Sequence, residues 1–194
     1  MDALLAVTLG AQLILFGFTA VSAFLPQHRV WPPPSRHSWQ FYATWFLSWV
    51  SLSGAFLLAV VGSNTLALEP WLRFGCGLPL LAFGVWFIAW GFRELSAPTT
   101  LGLGGHLIRS GPFRWSRNPQ YVGTCAYLVS LILLSGSTLA TIACLAVGAW
   151  FAVTPFVEEP WLADRYGEDY VRYCEDVPRF LGLRSLRSAA NKQP

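Results

Sequence analysis

From Leu4 to Leu25 the chain runs without one charged side chain, long enough to cross a membrane. A helix rises 1.5 Å per residue and the hydrocarbon core is about 30 Å thick, so about 20 apolar residues span it. Trp39 to Val61 is a second such run, and Leu72 to Phe92 a third, with Arg73 at its mouth. Pro119 to Leu134 is apolar but shorter, and it ends at Ser135, Gly136 and Ser137, a turn composition. Leu139 to Val157 then runs back. So tight a connection forces these two segments to lie antiparallel. The pattern predicts an all-α integral membrane fold of about five transmembrane helices, the last two forming a helical hairpin, followed by a cytoplasmic amphipathic helix.

Of the 194 residues, 54% are hydrophobic and 12% charged, against about 25% charged in soluble domains. The net charge of +3 is too small to point to nucleic acid, and the basic residues sit between the apolar runs rather than in one patch. Pro26 to Ser38 carries Arg29 and Arg36 with prolines at 32, 33 and 34. Arg93 to Asn118 carries Arg93, Arg109, Arg114 and Arg117. The tail after Glu158 adds Arg165, Arg172, Arg179, Arg184 and Arg187, whereas Ser63 to Pro70 and Ser135 to Ser137 have no Lys or Arg. The excess of Lys and Arg in cytoplasmic loops places the Arg-containing segments inside, with the N-terminus outside and the C-terminus inside. The first run lacks a basic n-region and exceeds a signal-peptide core, so it reads as a retained span. Short loops and the lack of a targeting signal fit a bacterial inner membrane. Cys76, Cys125, Cys144 and Cys174 have no C-x-x-C spacing and read as small core residues; no metal site is expected. The whole chain reads as one membrane-embedded domain: three spans over 1–92, a polar functional half over 93–180, and a tail over 181–194.

Polar chemistry gathers in two of the cytoplasmic segments. In the first, glycines at 102, 104 and 105 permit close backbone approach to a ligand. Asn118 followed by Pro119 forms an N-cap and first-turn pair, which leaves unpaired N–H groups at a positive dipole end beside the planar fork of Arg117. Tyr121 and Cys125 share one face of the helix that follows. A loop whose Arg residues bind lipid headgroups is the plainer reading. In the second segment, Glu158 and Glu159 stand at the end of a spanning run, where buried anions demand a cationic partner. If the helix continues past Pro160, Glu159, Tyr166, Tyr170 and Tyr173 fall within about 60° on one face. The alternative for this segment is a solvated amphipathic helix lying on the membrane.

Gly111-Pro112-Phe113 followed by Arg117-Asn118-Pro119-Gln120-Tyr121-Val122-Gly123 resembles the G-P-Y…R-H-P-x-Y-x-G signature of the isoprenylcysteine carboxyl methyltransferase and phospholipid methyltransferase superfamily. Glu158-Glu159, Tyr166-Gly167, Tyr170, Tyr173 and Val177-Pro178 are similar to the C-terminal block of that family, so the likeness covers Gly102 to Phe180. Gly102 and Gly104 look like the G-x-G element of the phosphatidylethanolamine methyltransferases. The resemblance implies a helical membrane enzyme that transfers methyl from S-adenosylmethionine to a lipid or prenylated acceptor. It implies cofactor contacts from Gly102, Gly104, His106, Leu107, Gly111, Pro112, Asn118, Pro119, Tyr121, Glu158, Tyr166 and Tyr170, with Arg117 and Glu159 at the chemistry. Two departures stand out. Asn118 replaces the commoner His, and Val177-Pro178-Arg179-Phe180 replaces the V-P-T-G ending of the prenyl-protein enzymes.

In chemical terms, Arg117 and the N–H groups after Asn118 suit the carboxylate of the donor, and Glu158 or Glu159 suits its cationic groups. With an amine acceptor Glu159 is the candidate base; a carboxylate acceptor needs an Arg to orient it and no base. Two rivals share these residues or do without them. The Arg117-Asn118-Pro119-x-Tyr121-x-Gly123 and Tyr166-Gly167 blocks also resemble membrane sterol reductases that use NADPH. A non-enzymatic helical scaffold predicts no cofactor at all.

Overall fold

The computed structural model describes residues 1–182, the side chains of residues 97 and 98 excepted. Among the described residues there are helices and turns and no strand. Helix α1 spans Asp2–Phe24 and α2 spans Trp39–Val61. A widened π turn, Trp71–Cys76, leads into α3, Gly77–Glu94. A proline ring clashes with the carbonyl four residues back in a regular helix, and the widened turn holds Gly75, four residues before Pro79. One turn, α4 (Ala97–Thr100), and a 3₁₀ turn (Gly111–Arg114) interrupt the next loop. Helix α5 spans Pro119–Ser135, α6 spans Thr138–Tyr166 and α7 spans Glu168–Asp176.

Four helical stretches are long and apolar enough to cross a membrane: α1, α2, Trp71–Glu94 and α6. Together with outward-facing side chains such as Leu13, Phe46 and Leu145, they mark an integral membrane protein. Helix α5, at 17 residues, is the shorter apolar partner expected for α6. Its most extensive packing, however, is against α3 rather than against the other arm of the hairpin. Gly84 of α3 and Gly123 of α5 explain this. A Cβ on Gly84 would lie 2.7 Å from the Tyr127 nitrogen, and one on Gly123 2.9 Å from the Gly84 oxygen. The two backbones touch because neither has a side chain there.

On the other flank, α1 and α2 pack on each other and both on α6. Leu15, Leu58, Leu128, Val147 and Trp150 form the buried centre where α1, α2, α5 and α6 meet. Within it the Trp150 indole donates to Thr19 Oγ1 at 2.8 Å, which satisfies a polar atom that hydrocarbon would leave unpaired. Helix α2 starts on Ser38, whose hydroxyl accepts from Phe41 N at 3.2 Å, and α6 starts on Ser137, which accepts from Ala140 N at 3.4 Å.

One expectation needs correction. The helix does continue past the apolar run that ends at Val157, and α6 runs on through Pro155 and Pro160 to Tyr166. Each proline removes a single N–H, which neighbouring helices and local adjustment tolerate in an apolar helix. The helix instead ends at Gly167, whose N–H donates to Ala163 O at 2.8 Å. Tyr170 and Tyr173 therefore belong to α7 and do not continue the face that carries Glu159 and Tyr166. From residue 183 onward the expected tail, with Arg184 and Arg187, lies outside the described residues.

The connections sort to two ends. The 63–70 loop and the α5–α6 turn meet at one, where Leu66 N donates to Gly136 O at 2.8 Å and Arg73 donates Nε and Nη2 to Leu134 O. The strap over residues 25–38, the 95–118 loop and α7 meet at the other, with the remaining described arginines.

Candidate active site

At the Arg-rich end the strap, the 95–118 loop and helices α5, α6 and α7 enclose a chamber of about 630 Å³. Its polar end collects residues far apart in sequence: Gly102, Gly104, His106 and Leu107 from the loop, Arg117, Asn118 and Tyr121 around the start of α5, Glu158 and Tyr166 from α6, and Tyr170 and Tyr173 from α7. Its other end is apolar and runs between α2 and α3 with α5 behind, past Trp49, Leu52, Phe56 and Phe92. Trp49, Phe56 and Phe92 are themselves exposed on the outer surface, so the chamber opens sideways where lipid would lie.

Not every expected residue reaches the wall. Gly111 borders a separate shallow surface hollow with Arg109 and Arg114. Pro112 and Pro119 are buried, the first in the 3₁₀ turn and the second at the start of α5. Glu159 is not on the wall either. Its Oε1 accepts from Arg117 Nη2 and from Arg179 Nε at 2.7 Å each, and its Oε2 accepts from Arg179 Nη2 at 2.5 Å. The Arg179 guanidinium also lies 3.7 Å from the Phe156 ring centroid. Its hydrogen bond to Glu159 raises its pKa above the usual arginine value, so the cation is fixed.

This cluster ties the two polar blocks together. Arg117 N donates to Pro178 O at 3.0 Å, and Arg117 Nη1 donates to Cys174 O at 3.2 Å. Ser116 Oγ and Asn118 Nδ2 both donate to Arg179 O, at 3.0 and 3.1 Å. Asn118 occupies the N-cap position but its side chain makes no cap. The amide is drawn to the Arg179 carbonyl, while the Asn118 N–H donates to Ser116 Oγ. The expectation of an Asn118 cap is thus corrected. The Arg117 side chain is 9% exposed, and its Nε–H is enclosed without an acceptor, one donor still unengaged.

Glu158 has the opposite environment. Its Oε1 accepts from Tyr121 OH at 2.5 Å and from the Trp31 indole N–H. Glu158 is the one carboxylate on the chamber wall among the described residues. Around the wall, Tyr166 OH donates to Gly105 O at 3.0 Å and Tyr173 OH to Phe113 O at 2.7 Å. Burial pushes the phenols of Tyr170 and Tyr173 well above the usual tyrosine range, so both stay neutral donors.

Sequence reasoning missed Trp31 and Arg179 as members of this cluster. Trp31 stands in the proline-rich strap, among residues read only as topology signals. Arg179 was visible as a departure from V-P-T-G, yet nothing in spacing pairs it with Glu159.

Fold and chamber define a helical membrane protein with a ligand-sized cavity, polar at one end and apolar along most of its wall, that communicates with the lipid side. Residues 72–169 match the phospholipid methyltransferase family, and the chain belongs to that family. Neither the comparison with curated proteins nor that with solved structures returned a match. Membership supports an enzyme of methyl transfer acting on lipophilic substrates.

Proposed function

We propose that the protein transfers a methyl group from S-adenosylmethionine to a lipid acceptor of the phospholipid-amine or isoprenylcysteine-carboxylate type, at the cytoplasmic face of its membrane. The observation that carries this reading is the single chamber that joins the polar blocks of the family match to an apolar cleft between α2 and α3. The chain is read as one domain, with 1–92 as membrane scaffold and 93–180 as the functional half. α5 serves as a fifth, shorter span and α7 as an amphipathic helix at the cytoplasmic surface.

The donor set fits the proposed cofactor. Glu158 offers a carboxylate to a cation, and Arg117, which reaches the chamber wall, offers a guanidinium to a carboxylate. Gly102, Gly104, His106, Leu107, Tyr166 and Tyr170 would line the rest of the molecule. When bound, the cofactor supplies an electrophilic methyl group on a sulfonium. The chain's own work is to hold the acceptor in line with that methyl, exclude water and balance charge. Tyr121 and Trp31 fix Glu158, which takes the base role for an amine acceptor in place of Glu159. Glu159, saturated by Arg117 and Arg179, holds the wall together instead. The α2–α3 cleft would receive the acyl or prenyl chain from the bilayer.

The test is to incubate the purified full-length protein with methyl-labelled S-adenosylmethionine and a total lipid extract. Label in a lipid product, lost in Glu158→Gln, is expected. No labelled lipid from a folded protein that binds the donor would overturn the lipid-acceptor reading.

A further inference from the structure

We infer that Trp31, outside the family-matched residues, is a positioning residue that holds Glu158 so that one carboxylate oxygen faces the bound ligand. The inference rests on the reading that the chamber binds the methyl donor. The indole is fixed from its own backbone outward. Ser22 Oγ donates to Phe18 O at 2.8 Å and accepts from Val30 N and Trp31 N, each at 3.0 Å. On the other side Arg29 Nε donates to Pro32 O at 3.0 Å, and its guanidinium lies 5.4 Å from the Trp161 ring of α6. The strap is thereby attached to both α1 and α6, and Trp31 cannot swing without breaking one attachment.

The ring itself fits between two walls of the chamber. It meets Trp45 of α2 edge-on, with centroids 6.4 Å apart. Against its other side lies Gly102, at φ +76, where an added Cβ would stand 2.9 Å from Trp31 Cη2. Gly102 is thus required twice, for its left-handed backbone and for the space the indole fills. Held there, the indole N–H donates to Glu158 Oε1, the same oxygen that accepts from Tyr121 OH. Oε1 has both donors, and Oε2 has no hydrogen bond among the described residues. A carboxylate gripped at one oxygen presents the other in a fixed direction, which favours a cationic ligand over a neutral one of the same shape.

The test compares equilibrium binding of two donor analogues to the full-length protein: sinefungin, which carries an amine near the position of the sulfonium, and the neutral thioether S-adenosylhomocysteine. The wild type should prefer sinefungin. Trp31→Phe, which keeps a ring and removes the N–H, should lose about tenfold of that preference, with S-adenosylhomocysteine affinity within about twofold. Trp31→His, which restores a ring N–H, should recover part of it. Gly102→Ala, which displaces the indole without removing its N–H, should lose the preference too, and it carries the test if Trp31→Phe does not fold. An unchanged preference in the folded variants, or equal weakening of both analogues, would overturn the positioning role. A wild type that binds neither analogue would overturn the donor reading itself, and this inference with it.

Discussion

Replacing Glu159 by Gln takes one negative charge from between two guanidinium groups and separates a structural role from a catalytic one. Glu159 receives three charge-assisted hydrogen bonds, from Arg117 Nη2, Arg179 Nε and Arg179 Nη2. The Arg117 side chain is 9% exposed and that of Arg179 29%, so Arg179 can turn to water and Arg117 cannot. Removing one partner of a buried ion pair costs about 3–5 kcal/mol, and the lower end, about 3 kcal/mol, applies because one of the two arginines can relax. For a chain of this size each kcal/mol shifts a midpoint by about 2–4 °C, so the midpoint should fall by about 6–12 °C. The assay is thermal unfolding of the purified protein in detergent, with methyl transfer measured well below the midpoint. Turnover should fall mainly through a raised KM for the donor, because Arg117 loses its anchor beside the chamber. A Glu159→Gln protein with an unchanged midpoint and abolished kcat would refute the reasoning and return the base role to Glu159.

With an amine acceptor, Glu158→Gln should do the reverse, lowering kcat at least about a hundredfold with little change of midpoint, checked by the same pair of assays. Gly123→Ala places a methyl against the Gly84 oxygen at 2.9 Å and should destabilise by about 1–3 kcal/mol, read as a lower midpoint. Leu52→Trp narrows the α2–α3 cleft; the KM for a lipid acceptor should rise severalfold while S-adenosylhomocysteine binding, measured by calorimetry, stays as in the wild type.

The membrane helices were legible because uncharged runs of this length allow few other structures. Trp39–Val61 is both the expected run and the observed helix. The junction of two distant polar blocks was also legible, since the glutamate pair needed a cationic partner near hydrocarbon; that Arg117 itself supplies it was not, because Arg117 reads as a partner of the donor's carboxylate. The roles within that junction were not. Glu158 and Glu159 are neighbours in sequence, and one residue of helix is about 100° of rotation. That rotation sends Glu158 to the chamber and Glu159 to the arginines. Which way it falls depends on the packing of α6 against α1, α2 and α5, and no local pattern encodes it. The bend at Gly167 likewise broke a stripe that looked continuous, because helical periodicity says nothing of where a helix stops. Trp31 was invisible for a different reason: its partner lies 127 residues away, and its strap reads as a basic, proline-rich connection.

The most direct measurement is equilibrium binding of S-adenosylhomocysteine and of NADPH to the purified full-length protein, each repeated with Arg117→Ala. Saturable binding of S-adenosylhomocysteine, weakened by that substitution, is expected, and none of NADPH. Saturable NADPH binding with no uptake of S-adenosylhomocysteine would contradict the proposed function.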